Sequence, residues 1–241
     1  MRWIFVAEPA QLSAKTLGSL AMPDFCARCF WIQRRVKHLP FQIFPGIFNS
    51  IDAYGKKIVH GWFDRHGSPP PWLADLGDLR GYESPPHYSQ FQTRDAETEI
   101  LLTGTPDGIL IRKDGSRLII DYKTAKFTEF QDQLFPIYEA QLNAYAHIGE
   151  RYWGQPVSAL ALIYTEPVTD DAAAHDDSNV SIKGFQMPFS ARILFVEKRP
   201  NLVPELLRRA RSILDLKTPP PPRAGCEDCQ HLDQLISTAR G

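Results

Sequence analysis

Apolar positions concentrate in short runs through the middle of the chain. Residues 97–103, 107–112 and 117–123 each read as a strand, and 159–166 reads as a further buried strand. Helical spacing dominates elsewhere. Ile51, Tyr54, Ile58 and Trp62 fall on one face of a helix predicted over 49–66. A second helix is predicted over 134–152, and a third over 202–216 with Arg208, Arg209 and Arg211 on its outer side. Residues 3–7 read as a short first strand, and Ser13 as the N-cap of a helix reaching Leu20. Residues 67–86 and 170–179 read as loops, and 182–188 with 192–198 as a terminal hairpin. Helices, then strands, then a helix and more strands predict an α/β fold with a mixed sheet.

The 241 residues suffice for one domain with a sizeable core, and 43% hydrophobic with 23% charged residues is ordinary for a soluble globular chain. A net charge of −1 gives no global attraction for nucleic acid, although a local basic groove remains compatible with it. The apolar start is short and interrupted by Glu8, so neither a signal peptide nor a membrane span is expected, and the chain reads as cytoplasmic. Disulfides are then disfavoured. The four cysteines form two CxxC pairs, Cys26/Cys29 and Cys226/Cys229, with none left over. Four thiolates suit Zn²⁺ or an iron–sulfur cluster.

The segment GTPDGILIRKDGSRLIIDYKTAK, residues 104–126, carries Asp107, Asp121 and Lys123 among its most apolar positions. Alternation puts Asp121, Lys123 and Ile119 on one strand face and Tyr122 on the other. Carboxylates against apolar surface are costly unless paired or bound to a cation, and Mg²⁺ or Mn²⁺ accepts oxygen ligands. The turn decides whether Asp107 joins them. A two-residue turn at Asp114-Gly115 sets Asp107 across from Tyr122. A three-residue loop, Lys113-Asp114-Gly115, pairs Arg112 with Ser116, gives Gly115 the left-handed position and sets Asp107 opposite Asp121. Gln141 and Tyr145, four apart on the following helix, share one face.

In order, GTPD (104–107), DYK (121–123) and QLNAY (141–145) resemble the GxxD, (D/E)xK and QxxxY motifs of the PD-(D/E)XK nucleases, in the branch holding RecB-, AddB- and Cas4-type proteins. The resemblance implies a restriction-endonuclease-like core: a central mixed sheet flanked by helices, in a single domain over 1–241. It implies that Asp107 and Asp121 hold Mg²⁺ or Mn²⁺, with the Tyr122 carbonyl as a further ligand. Lys123 would position the attacking water, and Gln141 and Tyr145 would contact phosphate or orient the lysine. Glu99, with Glu97 on the same strand face, is the candidate upstream acid. His60 is a candidate ligand, one position removed from the GxxxH spacing.

CARCFW with the terminal CEDC resembles the stand-alone Cas4-like branch, where cysteines clasp the two chain ends. That resemblance favours a [4Fe-4S] cluster at Cys26, Cys29, Cys226 and Cys229, with Zn²⁺ as the alternative because the cysteines here divide two and two. Arg34, Arg35, Lys37 and His38 beside Phe30 and Trp31 are candidates for holding a nucleic-acid strand, or else form a solvated helix face. The implied partner is DNA, single-stranded or at ends. The sequence carries no ATP-binding motif, so unwinding falls to a partner such as a helicase. The rival readings are a non-catalytic DNA-end-binding module of the same fold and a zinc-stabilised interaction domain.

Overall fold

Leu118 and Ile120 face one way along their strand and Ile119 the other, and all three are buried, so this strand is covered on both sides. A computed structural model describes residues 10–36 and 46–240; the strand expected at 3–7, and Lys37 and His38, lie outside them. The strands in chain order are β1 (Gln11–Ser13), β2 (Leu79–Glu83), β3 (Gln92–Arg94), β4 (Leu101–Thr103), β5 (Gly108–Arg112), β6 (Arg117–Thr124), β7 (Val157–Pro167), β8 (Val180–Ser181), β9 (Gly184–Phe185) and β10 (Phe189–Val196). The helices are α1 (Ala14–Gly18), α2 (Ala27–Gln33), α3 (Ile47–His66), α4 (Glu129–Trp153), α5 (Asp171–Ala174), α6 (Leu202–Leu214) and α7 (Glu227–Arg240).

The main sheet has the order β10-β7-β6-β5-β2. Its one parallel pair is β6 with β7, joined by the crossover helix α4, and the other pairs are antiparallel. This is the mixed sheet flanked by helices that the sequence predicts. Val59 and Phe63 of α3 cover one face, packing with Leu110, Leu118, Ile120, Ala161 and Ile163. α1, α4 and α6 cover the other, around Ile119, Leu160, Leu162 and Tyr164. A smaller sheet, β1-β4-β3, packs its Leu12 and Leu102 into this second core.

Ser13 caps α1 as expected, its hydroxyl accepting from Thr16 N at 3.1 Å. Four expectations need correction. The loop predicted over 67–86 contains β2, an edge strand whose LRGYE sequence lacks apolar alternation. The strand predicted over 97–103 shrinks to β4, because Asp95 accepts from both the N–H and the hydroxyl of Thr98, at 2.9 and 2.7 Å, and folds 95–99 into a turn. The terminal hairpin is replaced: β10 pairs with β7, while β8 and β9 form a small hairpin of their own. α7, beyond the second CxxC, was not anticipated. Among the described residues no helix is long and apolar enough to cross a membrane.

Candidate active site

The hairpin turn takes the three-residue form. Arg112 N donates to Ser116 O at 2.9 Å, Gly115 has φ +87°, and Gly108 pairs with Ile120. One residue further, Asp107 therefore stands opposite Asp121 where the hairpin pairing ends, with Asp121 on the side covered by α4. Tyr122 packs on the α3 side.

Asp121 is 2% exposed. Gln141 Nε2 donates to its Oδ1 at 3.3 Å and to the Tyr145 hydroxyl at 2.8 Å. Its Oδ2 forms an ion pair with Lys123 Nζ but accepts no well-directed hydrogen bond. Burial, reinforced by the neighbouring Asp107 carboxylate, pushes the Asp121 carboxyl up to about 7 despite the Lys123 ammonium. Lys123 Nζ also lies 4.2 Å from the centre of the Tyr138 ring, a cation–π contact that fixes its direction. Burial, with the charge of Asp121, raises the Tyr145 phenol, which stays protonated.

Asp107 anchors the turn before β5: its Oδ2 accepts from Tyr122 N at 3.0 Å. Its Oδ1 accepts from Lys56 Nζ at 2.8 Å. Lys56 also pairs with Asp52 at 2.8 Å. Burial pulls Lys56 down, but the Asp107 and Asp52 carboxylates together hold its ammonium above its ordinary range. Sequence reasoning missed Asp52 and Lys56. Their i,i+4 spacing on α3 was visible, but the approach of α3 to the hairpin end was not.

Gly104 explains the first position of its motif. A Cβ there would meet two Tyr145 ring carbons at 2.6 and 2.9 Å. Gly104→Ala is therefore expected to displace Tyr145 from Gln141 and to destabilise the fold by about 1–3 kcal/mol, read from denaturant melts.

Other candidates sit elsewhere. Glu99 lies in the turn before β4 with φ +54°, its side chain 69% exposed and 3.7 Å from Arg94. Glu97 pairs with Arg208 at 3.0 Å. Neither is a partner of Asp107 or Asp121, because the strand meant to aim them at the site is a turn. His60 lies one helical turn beyond Lys56 and stacks on Tyr82 at 3.9 Å, so its ring is spent on an aromatic neighbour; burial lowers its pKa. Arg34 and Arg35 bond carbonyls of this chain, Gln11 for the first and Leu214 and Leu216 for the second. Arg35 also stacks on Trp31 at 3.8 Å. Arg208, Arg209 and Arg211 are likewise engaged, by Glu97, the Leu20 carbonyl and Asp215. All but Arg211, whose partner caps its own helix, fasten one element to another.

The four cysteines meet. Their sulfurs all lie within 4.8 Å of one another, the only such group of three or more metal-ligating side chains among the described residues. Cys26 precedes α2 and Cys226 precedes α7, so each CxxC spans a first helical turn and aims both sulfurs at one point.

The sequence profile of the PD-(D/E)XK nuclease superfamily matches residues 59–234. The chain belongs to that superfamily. No curated protein matches it. The crystal structure of SSO0001 is similar over 88% of this chain and 80% of its own, at 10% identity and a TM-score of 0.44. Membership carries a nuclease-type function and a divalent metal. The acid pair of this PD-(D/E)XK chain fits such a metal: Asp121 is buried with Oδ2 held by the Lys123 ammonium alone, and the neighbouring Asp107 carboxylate raises its proton affinity, the electrostatic setting that a bound cation relieves.

Proposed function

We propose that the chain is a Mg²⁺- or Mn²⁺-dependent deoxyribonuclease of the Cas4/RecB type, hydrolysing phosphodiesters in single-stranded DNA or at frayed DNA ends. The observation that carries this reading is the Asp107 carboxylate beside buried Asp121, with Lys123 against the same Asp121 carboxylate. Asp107 and Asp121 would hold the cation, with the Tyr122 carbonyl as a further donor. Bound there, it polarises the phosphodiester and lowers the pKa of its water.

The chain's own groups do the rest. Lys123 offers a fixed ammonium to orient the attacking water and to offset charge on the phosphate. The Tyr145 hydroxyl accepts from Gln141, which leaves its proton for a phosphate oxygen. Gln141 in turn holds Asp121, so the QxxxY pair of α4 positions both acid and phosphate. Asp107 is neutralised by Lys56, which keeps two carboxylates side by side tolerable.

The single-strand preference rests on the Cas4/RecB resemblance; a cleft of about 740 Å³ opens next to Tyr122 on the α3 side of the sheet, and its lining does not include Asp107, Asp121 or Lys123. Tyr54, Ile58 and Trp72 line it from one side and Met187 and Phe189 from the other, all of them exposed. Opening of duplex DNA is left to a partner such as a helicase.

The test is cleavage of end-labelled single-stranded DNA by purified protein with Mg²⁺ or Mn²⁺. Wild type is expected to cut, and Lys123→Ala to lose roughly 10²–10³-fold in rate at unchanged DNA binding. Equal rates for the two proteins would remove the assignment. Binding without cleavage in every divalent cation would leave a DNA-end-binding module.

A further inference from the structure

The four sulfurs of the clasp are too close together for an iron–sulfur cube. Cys26 and Cys229 stand 3.6 Å apart, Cys29 and Cys226 3.5 Å, and Cys29 and Cys229 3.3 Å. Four thiolates at the Zn–S bond length around a single tetrahedral ion have edges of about 3.8 Å. In a [4Fe-4S] cluster each thiolate bonds a different iron. The cube edge and the outward bonds then spread the sulfurs to roughly 6 Å.

The first turns of two helices set these distances. Cys26 and Cys29 belong to the first turn of α2, and Cys226 and Cys229 to that of α7. Outside the sulfurs, Arg28 of α2 holds Asp233 of α7 with two hydrogen bonds, at 3.0 and 2.7 Å. Admitting a cube would part the two helices. It would break that fork and expose Cys229, now 2% exposed. The amide of Arg223 donates to Cys26 Sγ at 3.5 Å, the kind of outer-shell contact that fixes a thiolate ligand. The donor set, four sulfurs at one point with no other ligand residue grouped with them among the described residues, suits a borderline-soft ion of tetrahedral preference.

From this geometry we infer that the clasp takes one Zn²⁺, bound by Cys26, Cys29, Cys226 and Cys229, in place of the iron–sulfur cluster that the Cas4-like resemblance favours. Zn²⁺ has no redox chemistry, so the metal itself holds the chain ends together without taking part in electron transfer. The inference does not rest on nuclease activity.

The experiment is metal and acid-labile sulfide analysis of full-length protein purified without oxygen from cells supplied with both iron and zinc. The expected result is colourless protein with one zinc per chain and neither iron nor sulfide. Replacement by Co²⁺ is expected to saturate at one equivalent, with thiolate charge-transfer bands and the visible bands of a tetrahedral site. X-ray absorption at the zinc edge should show a single sulfur shell at about 2.3 Å. Cys29→Ser is expected to weaken Zn²⁺ binding by at least ~10-fold; if that variant does not fold, the Co²⁺ titration of wild type decides. Brown protein with iron and sulfide in a four-to-four ratio per chain overturns the inference. So does protein that carries no metal at the cysteines as purified and takes up no Co²⁺ there.

Discussion

Asp121→Asn is expected to abolish cleavage while leaving the fold at least as stable as before. The carboxylate is buried, faces Asp107 and has an oxygen that accepts no well-directed hydrogen bond. Such a group costs folding free energy and is kept for what it binds. Asparagine is nearly isosteric and preserves an acceptor for Gln141, but it removes the charge on which a divalent cation depends. A loss of about 10³-fold or more in single-strand cleavage is expected. The stability gain has a sign in pH. A carboxyl raised to about 7 in the folded state holds its proton more tightly there than in the unfolded chain. Its ionisation then destabilises the wild type progressively as pH climbs from the ordinary carboxylate range to about 7. Thermal melts without added Mg²⁺ or Mn²⁺ should show the melting temperature of Asp121→Asn rising relative to wild type across that window, with the difference constant above it. A variant that melts well below wild type at pH 8 would mean that the Lys123 ion pair outweighs the burial cost.

Stripping the metal from the clasp is expected to lower the melting temperature by about 10–20 °C. Cys26 and Cys229 are 203 residues apart in sequence, so their junction closes nearly the whole chain into a loop. In the chain-entropy treatment a covalent link across such a loop is worth about 5 kcal/mol, and each kcal/mol shifts a domain of this size by about 2–4 °C. The Cys226→Ser/Cys229→Ser double variant should reproduce the effect of a strong chelator, and chelator added to that variant should do nothing more. The Arg28–Asp233 fork remains in both cases, but it is exposed and contributes little alone. A drop of less than 2 °C would mean that packing of α7 and α2, and not the metal, holds the ends.

Periodicity alone located the long elements. α3, α4, β5, β6 and β7 lie close to where alternation or helical spacing puts them; α4, β5, β6 and β7 carry enough buried residues to imprint their period, whereas α3 buries Val59 and Phe63 and leaves Tyr54 and Ile58 of its apolar stripe exposed. Short or polar elements escaped: β2, β3 and the β8–β9 pair present few buried side chains, and a two- or three-residue strand has no measurable period. The DYK strand face, the QxxxY helix face and the two CxxC knuckles were likewise readable, since each is a local spacing on a regular element. Glu99 failed because one Asp–Thr turn ended the strand that was to aim it.

The sequence by itself determined the ingredients: Asp107, Asp121, Lys123, Gln141 and Tyr145 at spacings that regular backbone turns into shared faces, and four cysteines without a remainder. The tertiary structure decided which of them meet. The left-handed Gly115 selected the register that sets Asp107 against Asp121. The approach of α3 brought Lys56 to Asp107, and the packing of α2 on α7 fixed how far apart the sulfurs stand. Those outcomes depend on contacts between residues tens to hundreds of positions apart, where a local pattern holds no information about distance.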